Sequence, residues 1–347
     1  MTKISVVIPS YNHRYYIEKA VESVLNQSER DLELIVIDDG STDDSLMFLR
    51  QINDPRFILV EQANAGAHNA INRGLELAKG DYLAILNSDD IFHPDRLRRC
   101  IEALHQDGAE LVATWIEVIN ADGKPLGVKQ AWQNMLPWAV PSIDDSFLAT
   151  DDFALNLLVS NFVSTTSNIV FTRKLYDEIG GMRNLRFAHD WDFMFRAVDA
   201  YKCTVLPEAL MQYRIHGTNT ISSNRAWMLF EICWVMATGM RRFEGRRIYA
   251  GAGVESWLSD VHRIHNSVNL QGNDKIYWMI LQFVRAQEAR GVLNPELLLL
   301  DNAELRAGFI EHVVSEPVVA EASIAPDVRR MSLFALLKIW LKQYMKA

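Results

Sequence analysis

The chain has 347 residues, 49% of them hydrophobic, with 44 acidic against 35 basic side chains and a net charge of −9. That length can bury a large core and hold one big domain plus an appendage, while the acidic balance provides no overall basic field to attract phosphates and argues against a nucleic-acid partner. Three scattered cysteines form neither a disulfide framework nor a zinc spacing, which points to a reducing compartment. The N-terminus lacks a basic segment followed by an apolar one, and no uncharged apolar run reaches the ~20 residues that span a bilayer, so a cytoplasmic location without a signal peptide is expected.

In chain order, Lys3 to Ile8 is a β-branched run that Pro9-Ser-Tyr-Asn12 breaks. Tyr15 to Leu25 has helical spacing in Ile17, Ala20, Val21, Val24 and Leu25. Leu32 to Ile37 is a second strand, ending in Asp38-Asp39-Gly40-Ser41, and Asp43 starts a helix with Leu46 and Leu49 on one face. Phe57 to Val60 reads as a strand and Ala65 to Ala78 as a helix closed by Gly80. Tyr82 to Leu86 is a nearly continuous apolar run, the pattern of a strand buried on both faces. It ends in Asn87, Ser88, Asp89 and Asp90, adjacent carboxylates that are costly at a buried strand exit unless something neutralises them. A divalent cation suits that spot; a polar turn leading to a helix capped by Asp95 is the alternative.

This alternation with short connections predicts a parallel sheet covered by helices. Right-handed crossovers then bring the exits Pro9–Asn12, Asp38–Ser41 and Asn87–Asp90 to one edge, where open α/β sheets bind ligands. Further on, Asp95 to His105 reads as a helix, Leu111 to Ile119 as a strand, and 127–160 as a long loop with short helices. Thr165 to Phe171 is strand-like, Arg173 to Ile179 is a short helix, Asp190 to Ala200 is helical, and Cys203 to Leu206 and Leu210 to Ile215 are short strands. From Ala226 onward the pattern is mainly helical and rich in Trp and Met. A boundary near Asn224 therefore divides residues 1–224 from a helical region, 225–347.

Five motifs now stand in order: Val6-Val-Ile-Pro-Ser-Tyr-Asn12; Ile37-Asp-Asp-Gly-Ser-Thr-Asp43; Asn64-Ala-Gly66 with Ala70-Ile-Asn-Arg-Gly74; Ala78-Lys-Gly-Asp-Tyr-Leu-Ala-Ile-Leu-Asn-Ser-Asp-Asp90; and His189-Asp-Trp-Asp192 with Tyr213-Arg-Ile-His216. Together they resemble glycosyltransferase family 2, inverting enzymes of the GT-A fold, over roughly the first 220 residues. The resemblance implies a nucleotide-diphospho-sugar donor, with a UDP-sugar favoured, and a glycan or lipid-linked acceptor in surface polysaccharide or glycan synthesis. Pro9 and Tyr11 would border the nucleoside, Asp38 would fix its turn or contact the ribose, and Asp39 would accept from the base edge. Capping of the turn and the next helix is the plainer role for Asp38 and Asp39. Asp89 would bind Mn²⁺ or Mg²⁺, with His216 as a further metal or phosphate contact or as a structural histidine. Asn87 stands where the family's first metal-motif Asp usually sits and would reach a ribose hydroxyl beside Ser88. Asp190 would be the catalytic base, at a helix start whose dipole favours negative charge; a simple N-cap is the alternative.

Two departures accompany the match. His189 stands where relatives often have Glu, and Ile71 where many carry a donor-contacting Arg. His68, Asn69 and Arg73 are nearby replacements for that Arg, and Asn72 is the clean match. No Gln-X-X-Arg-Trp follows the base, so a non-processive enzyme is expected. A catalytically silent sugar-nucleotide-binding or scaffold protein on the same fold is the rival reading.

Arg329 to Ala347 has amphipathic helical spacing, with Leu333, Leu336, Leu337, Trp340 and Tyr344 in one stripe. Five basic residues and one acid lie between Pro326 and Ala347. Such a helix can lie in a membrane interface, which would make the protein peripheral on the inner membrane face, or it can dock on its own domain or a partner subunit.

Overall fold

Nine strands form one sheet in the computed structural model, which describes residues 4–130, 152–217, 224–240, 249, 251–267 and 270–315. They are β1 (Ile4–Ser10), β2 (Leu32–Asp38), β3 (Phe57–Glu61), β4 (Tyr82–Ile85), β5 (Ile91–Phe92), β6 (Leu111–Asn120), β7 (Pro125–Lys129), β8 (Ile169–Thr172) and β9 (Cys203–Ile215). The sheet order is β3-β2-β1-β4-β8-β6-β9-β5, with β7 paired to β6. The four strands from β3 to β4 are parallel, β8 runs antiparallel to both β4 and β6, and β9 runs parallel to β6.

Alternation along the strands builds a core on each face. Val7, Ile35 and Ile37 enter one hydrophobic cluster, whereas Ile4, Val6, Ile8, Leu34 and Val36 enter the other. The second cluster receives the apolar faces of α1 (Arg14–Leu25) and α4 (Arg96–Asp107), through Ile17, Val21, Leu97 and Leu104. After α2 (Ser45–Leu49), α3 (Ala67–Leu77) packs on the first face, and Gly74 makes its close approach possible. A Cβ there would lie 2.3 Å from Val7 Cγ1. Each fully buried Val, Leu or Ile contributes about 2 kcal/mol.

The first cluster continues through α5 (Phe153–Val159), α6 (Arg173–Ile179), α7 (His189–Ala200) and α8 (Arg225–Gly239). Asn224, where a boundary was expected, caps α8 by accepting from Trp227 N at 3.0 Å. Leu229, Phe230, Trp234 and Val235 of α8 share this core with Phe193 and Phe195 of α7. Beyond α8 follow α9 (Val254–Ser267), α10 (Asp274–Glu288), α11 (Leu298–Asp301) and α12 (Ala303–Ile310).

Several elements differ from their sequence reading. β5 and β7 are extra strands, and β7 occupies the start of the expected 127–160 loop, most of which lies outside the described residues. Thr166–Asn168 is a 3₁₀ turn ahead of β8. The two short strands expected between Cys203 and Ile215 are one, because irregularities in its register with β6 carry it past Pro207. The amphipathic 329–347 segment also lies outside the described residues.

Candidate active site

Parallel pairing of β1, β2 and β4 brings their carboxyl ends to one edge, and a cavity of about 850 Å³ opens there. Pro9, Tyr11, Asp39, Asn87, Ser88, Asp89 and Asp190 line it. Asp38, Asn72 and His216 are not among its lining residues.

The Asp39 carboxylate is buried and accepts from Gln62 Nε2 at 2.7 Å, Ala65 N at 2.8 Å and Gly66 N at 2.9 Å. It therefore shapes the loop entering α3 as well as the cavity wall. Asp38 Oδ1 accepts from Ser41 N at 3.0 Å, which closes the turn after β2. Tyr11 remains 46% exposed at the rim.

Asn72 bridges the backbone of one residue. Its Nδ2 donates to Met182 O at 2.8 Å and its Oδ1 accepts from Met182 N at 2.7 Å. This ties α3 to the loop after α6 and directs the amide away from the cavity. Of the three residues near Ile71, only His68 lines the cavity. Asn69 Nδ2 donates to Ala65 O and Arg73 Nη1 to Gln62 Oε1.

At the exit of β4, Asn87 Nδ2 donates to Thr165 Oγ1 at 3.0 Å and Asn87 Oδ1 accepts from Thr166 Oγ1 at 3.1 Å. Asp90 turns inward and accepts from Ser167 Oγ at 2.6 Å and Arg214 N at 3.0 Å. Burial, then the neighbouring Asp89, raises its pKa well above the ordinary carboxyl value. Asp90 thus braces β9 against the turn, while Asp89 faces the cavity. Asp89 Oδ2 lies 2.9 Å from His216 Nε2. The His216 ring stacks on Tyr16 with centroids 5.0 Å apart.

Sequence reading missed His13. Its Nδ1 lies 2.7 Å from Ser88 Oγ, and one ligand atom from each of His13, Asp89 and His216 falls within 4.8 Å of the others. Burial lowers the His13 pKa, with His216 acting in the same direction and Asp89 opposing, so the neutral imidazole that a metal requires is favoured. Two imidazoles and one carboxylate form a mixed nitrogen–oxygen set that a first-row transition ion accepts more readily than Mg²⁺, which prefers oxygen ligands. His13 directly follows the Pro9–Asn12 exit, and that adjacency was the available clue.

Asp190 occupies the first turn of α7 and is 6% exposed. Its Oδ2 accepts from Asn161 Nδ2 at 3.0 Å and its Oδ1 accepts from Trp191 N at 2.8 Å. Asp192 instead pairs with Arg196 at 2.9 Å and Arg183 at 3.3 Å and is structural. His189 and His68 both line the cavity, and burial lowers the pKa of each. Arg186, Phe187, Trp227 and Arg306 also line it, with both guanidinium groups over the Trp227 ring.

The fold and site define an α/β protein whose strand ends form one cavity lined by the buried Asp190 carboxylate and by His13 and Asp89, with His216 completing a potential His–Asp–His metal group. The family model described as Glycosyl transferase family 2 matches residues 5–189, and the chain belongs to that family. It is 30% identical over 247 residues to glycosyltransferase TuaG of Bacillus subtilis (strain 168), named for teichuronic acid biosynthesis, covering 69% of this chain and 88% of that protein. An uncharacterized glycosyltransferase of Nostoc sp. is 29% identical over 224 residues, 62% of this chain and 66% of the relative. Chondroitin synthase of Escherichia coli is 42% identical over 106 residues, 30% of this chain and 16% of that enzyme. The chain thus spans less than two thirds of either of these last two relatives. Among solved structures, S. aureus TarS 1–349 in complex with UDP-GlcNAc superposes with a TM-score of 0.51 at 18% identity, covering 88% of this chain and 92% of that one, a likeness of fold.

Proposed function

We propose that the chain transfers a sugar from a nucleotide-diphospho-sugar, with a UDP-sugar favoured, to an acceptor hydroxyl with inversion, in the synthesis of a surface polysaccharide or related glycan. The observation that carries this reading is the single cavity lined by Asp39, Tyr11, His13, Asp89 and Asp190, with His216 bonded to Asp89. Family membership and relatives named for polysaccharide synthesis support it.

Tyr11, Pro9 and Asp39 border the base, and Asn87 and Ser88 flank the ribose and phosphates. His13, Asp89 and His216 would hold a divalent ion, which when bound supplies positive charge against the diphosphate leaving group. Inversion requires attack from the face opposite the diphosphate. As the acceptor oxygen forms its bond to the anomeric carbon, Asp190 takes the hydroxyl proton and the sugar–phosphate bond breaks. The bond from Asn161 fixes the Asp190 carboxylate for that role.

Calorimetric titration of UDP and GDP, with and without Mn²⁺, tests the donor site in the wild type and in Asp89→Ala. Metal-dependent binding of one nucleotide, lost in the variant, is the expected result. No binding of either nucleotide would favour a silent protein on the same fold.

A further inference from the structure

We infer that Glu231 of α8 is a positioning residue for Asp190, so that the catalytic base is mounted by a helix outside the 5–189 stretch that the family model matches. This rests on Asp190 acting as the base. Glu231 is 1% exposed and sits at the head of α7. Its Oε1 accepts from Arg186 N at 2.8 Å, and its Oε2 accepts from Phe187 N at 2.7 Å and Ala188 N at 3.0 Å. Three consecutive backbone N–H groups, ending two residues before Asp190, thus converge on one carboxylate.

Local sequence cannot do this job. Ala188 occupies the N-cap position of α7 and has no side chain able to cap, so the approach to the helix takes its acceptor from another element. A buried carboxylate is costly unless it is hydrogen-bonded, and bonds to an ionised acceptor are the strong kind. Burial raises the Glu231 pKa, while the three backbone bonds and Arg306 oppose that rise. One helical turn earlier, Trp227 of α8 lines the cavity and meets the Phe187 ring edge-on at 6.4 Å. The same helix therefore grips the 186–188 loop through Glu231 and through Trp227. A base must lie within hydrogen-bond reach of the proton it removes, and a shift of ~1 Å can cost on the order of 100-fold in rate.

Glu231→Gln keeps the size of the side chain but offers one acceptor oxygen and turns an NH₂ toward a backbone donor. In the full-length protein, kcat for sugar transfer should fall ~10- to 100-fold while the Kd for UDP in Mn²⁺ stays within about twofold. Glu231→Asp, which keeps both acceptor oxygens, should recover part of the loss. Amide exchange should accelerate in the 186–190 peptide and stay unchanged in peptides covering β1 and β4. An unchanged kcat would overturn the inference, and so would parallel loss of UDP affinity, activity and protection throughout the protein. If the wild type turns over no donor, the transferase reading fails by itself. Exchange then decides alone: acceleration confined to 186–190 keeps Glu231 as the mount of this loop, and any other pattern removes it.

Discussion

Asn161 Nδ2 donates to Asp190 Oδ2 at 3.0 Å, joining the stretch after α5 to the first turn of α7 across 29 residues of chain. The bond leaves the second carboxylate oxygen with its own Trp191 N–H and sets the plane of the group. If Asp190 is the base, Asn161→Ala should lower kcat by roughly 10- to 100-fold, less than the ~10²- to 10⁴-fold expected for Asp190→Asn, because the carboxylate is then present but misaligned. UDP affinity measured by calorimetry should not change in either variant. A matching loss of UDP affinity in Asn161→Ala would mean that the asparagine supports the cavity as a whole.

His13 separates the two candidate metals. If it is a ligand, His13→Gln should weaken Mn²⁺-dependent UDP binding by about tenfold or more, since even outer-shell partners of a metal site are worth that much. The loss with Mg²⁺ should be smaller, because that ion depends less on imidazole. Titrations of UDP in each metal give the comparison, and equal losses would remove His13 from the ligand set.

Asn72 belongs to the framework. Replacing it with Ala leaves the Met182 N–H and carbonyl without their partners and should cost about 1–3 kcal/mol in urea unfolding. Nucleotide affinity of the folded variant should match the wild type. A selective loss of UDP binding at unchanged stability would return Asn72 to the donor site.

Gly74→Ala tests the packing of α3 on β1. The added methyl would meet Val7 Cγ1 at 2.3 Å, and overpacking of this kind costs about 1–3 kcal/mol. On an exposed helix the same change would be stabilising, so the sign of the change in urea midpoint is the readout.

His189 carries a pH dependence. Burial depresses its pKa below the ordinary 6.5, so between the folded value and 6.5 the unfolded chain binds a proton that the folded chain does not. Its contribution to stability is complete above about pH 6.5 and is lost as the pH falls through the folded value. Replacing His189 with Gln removes that term. Between about pH 7.5 and 5.5 the urea midpoint of the variant should fall less than that of the wild type, and parallel curves would contradict the assignment.

The amino-acid sequence by itself determined the parallel half of the sheet and the clusters at its exits. Apolar runs such as Ile4–Ile8 and Leu32–Ile37 form strands from local patterning, and strand–helix alternation makes their ends converge. Pro9–Asn12, Asp39 and Asn87–Asp89 were legible for that reason, whereas Asp190 stood out only through the family resemblance. Only the tertiary structure decided where individual side chains point. It turned Asp90 inward and Asp89 outward, spent Asn72 on Met182, and brought His13 to Asp89 and His216. It also placed Asn161 on Asp190 and Glu231 on the loop just before it. These partners are separated by tens of residues or more, and a short polar side chain carries no periodic pattern. Its role depends on which donors and acceptors packing sets within about 3 Å of it.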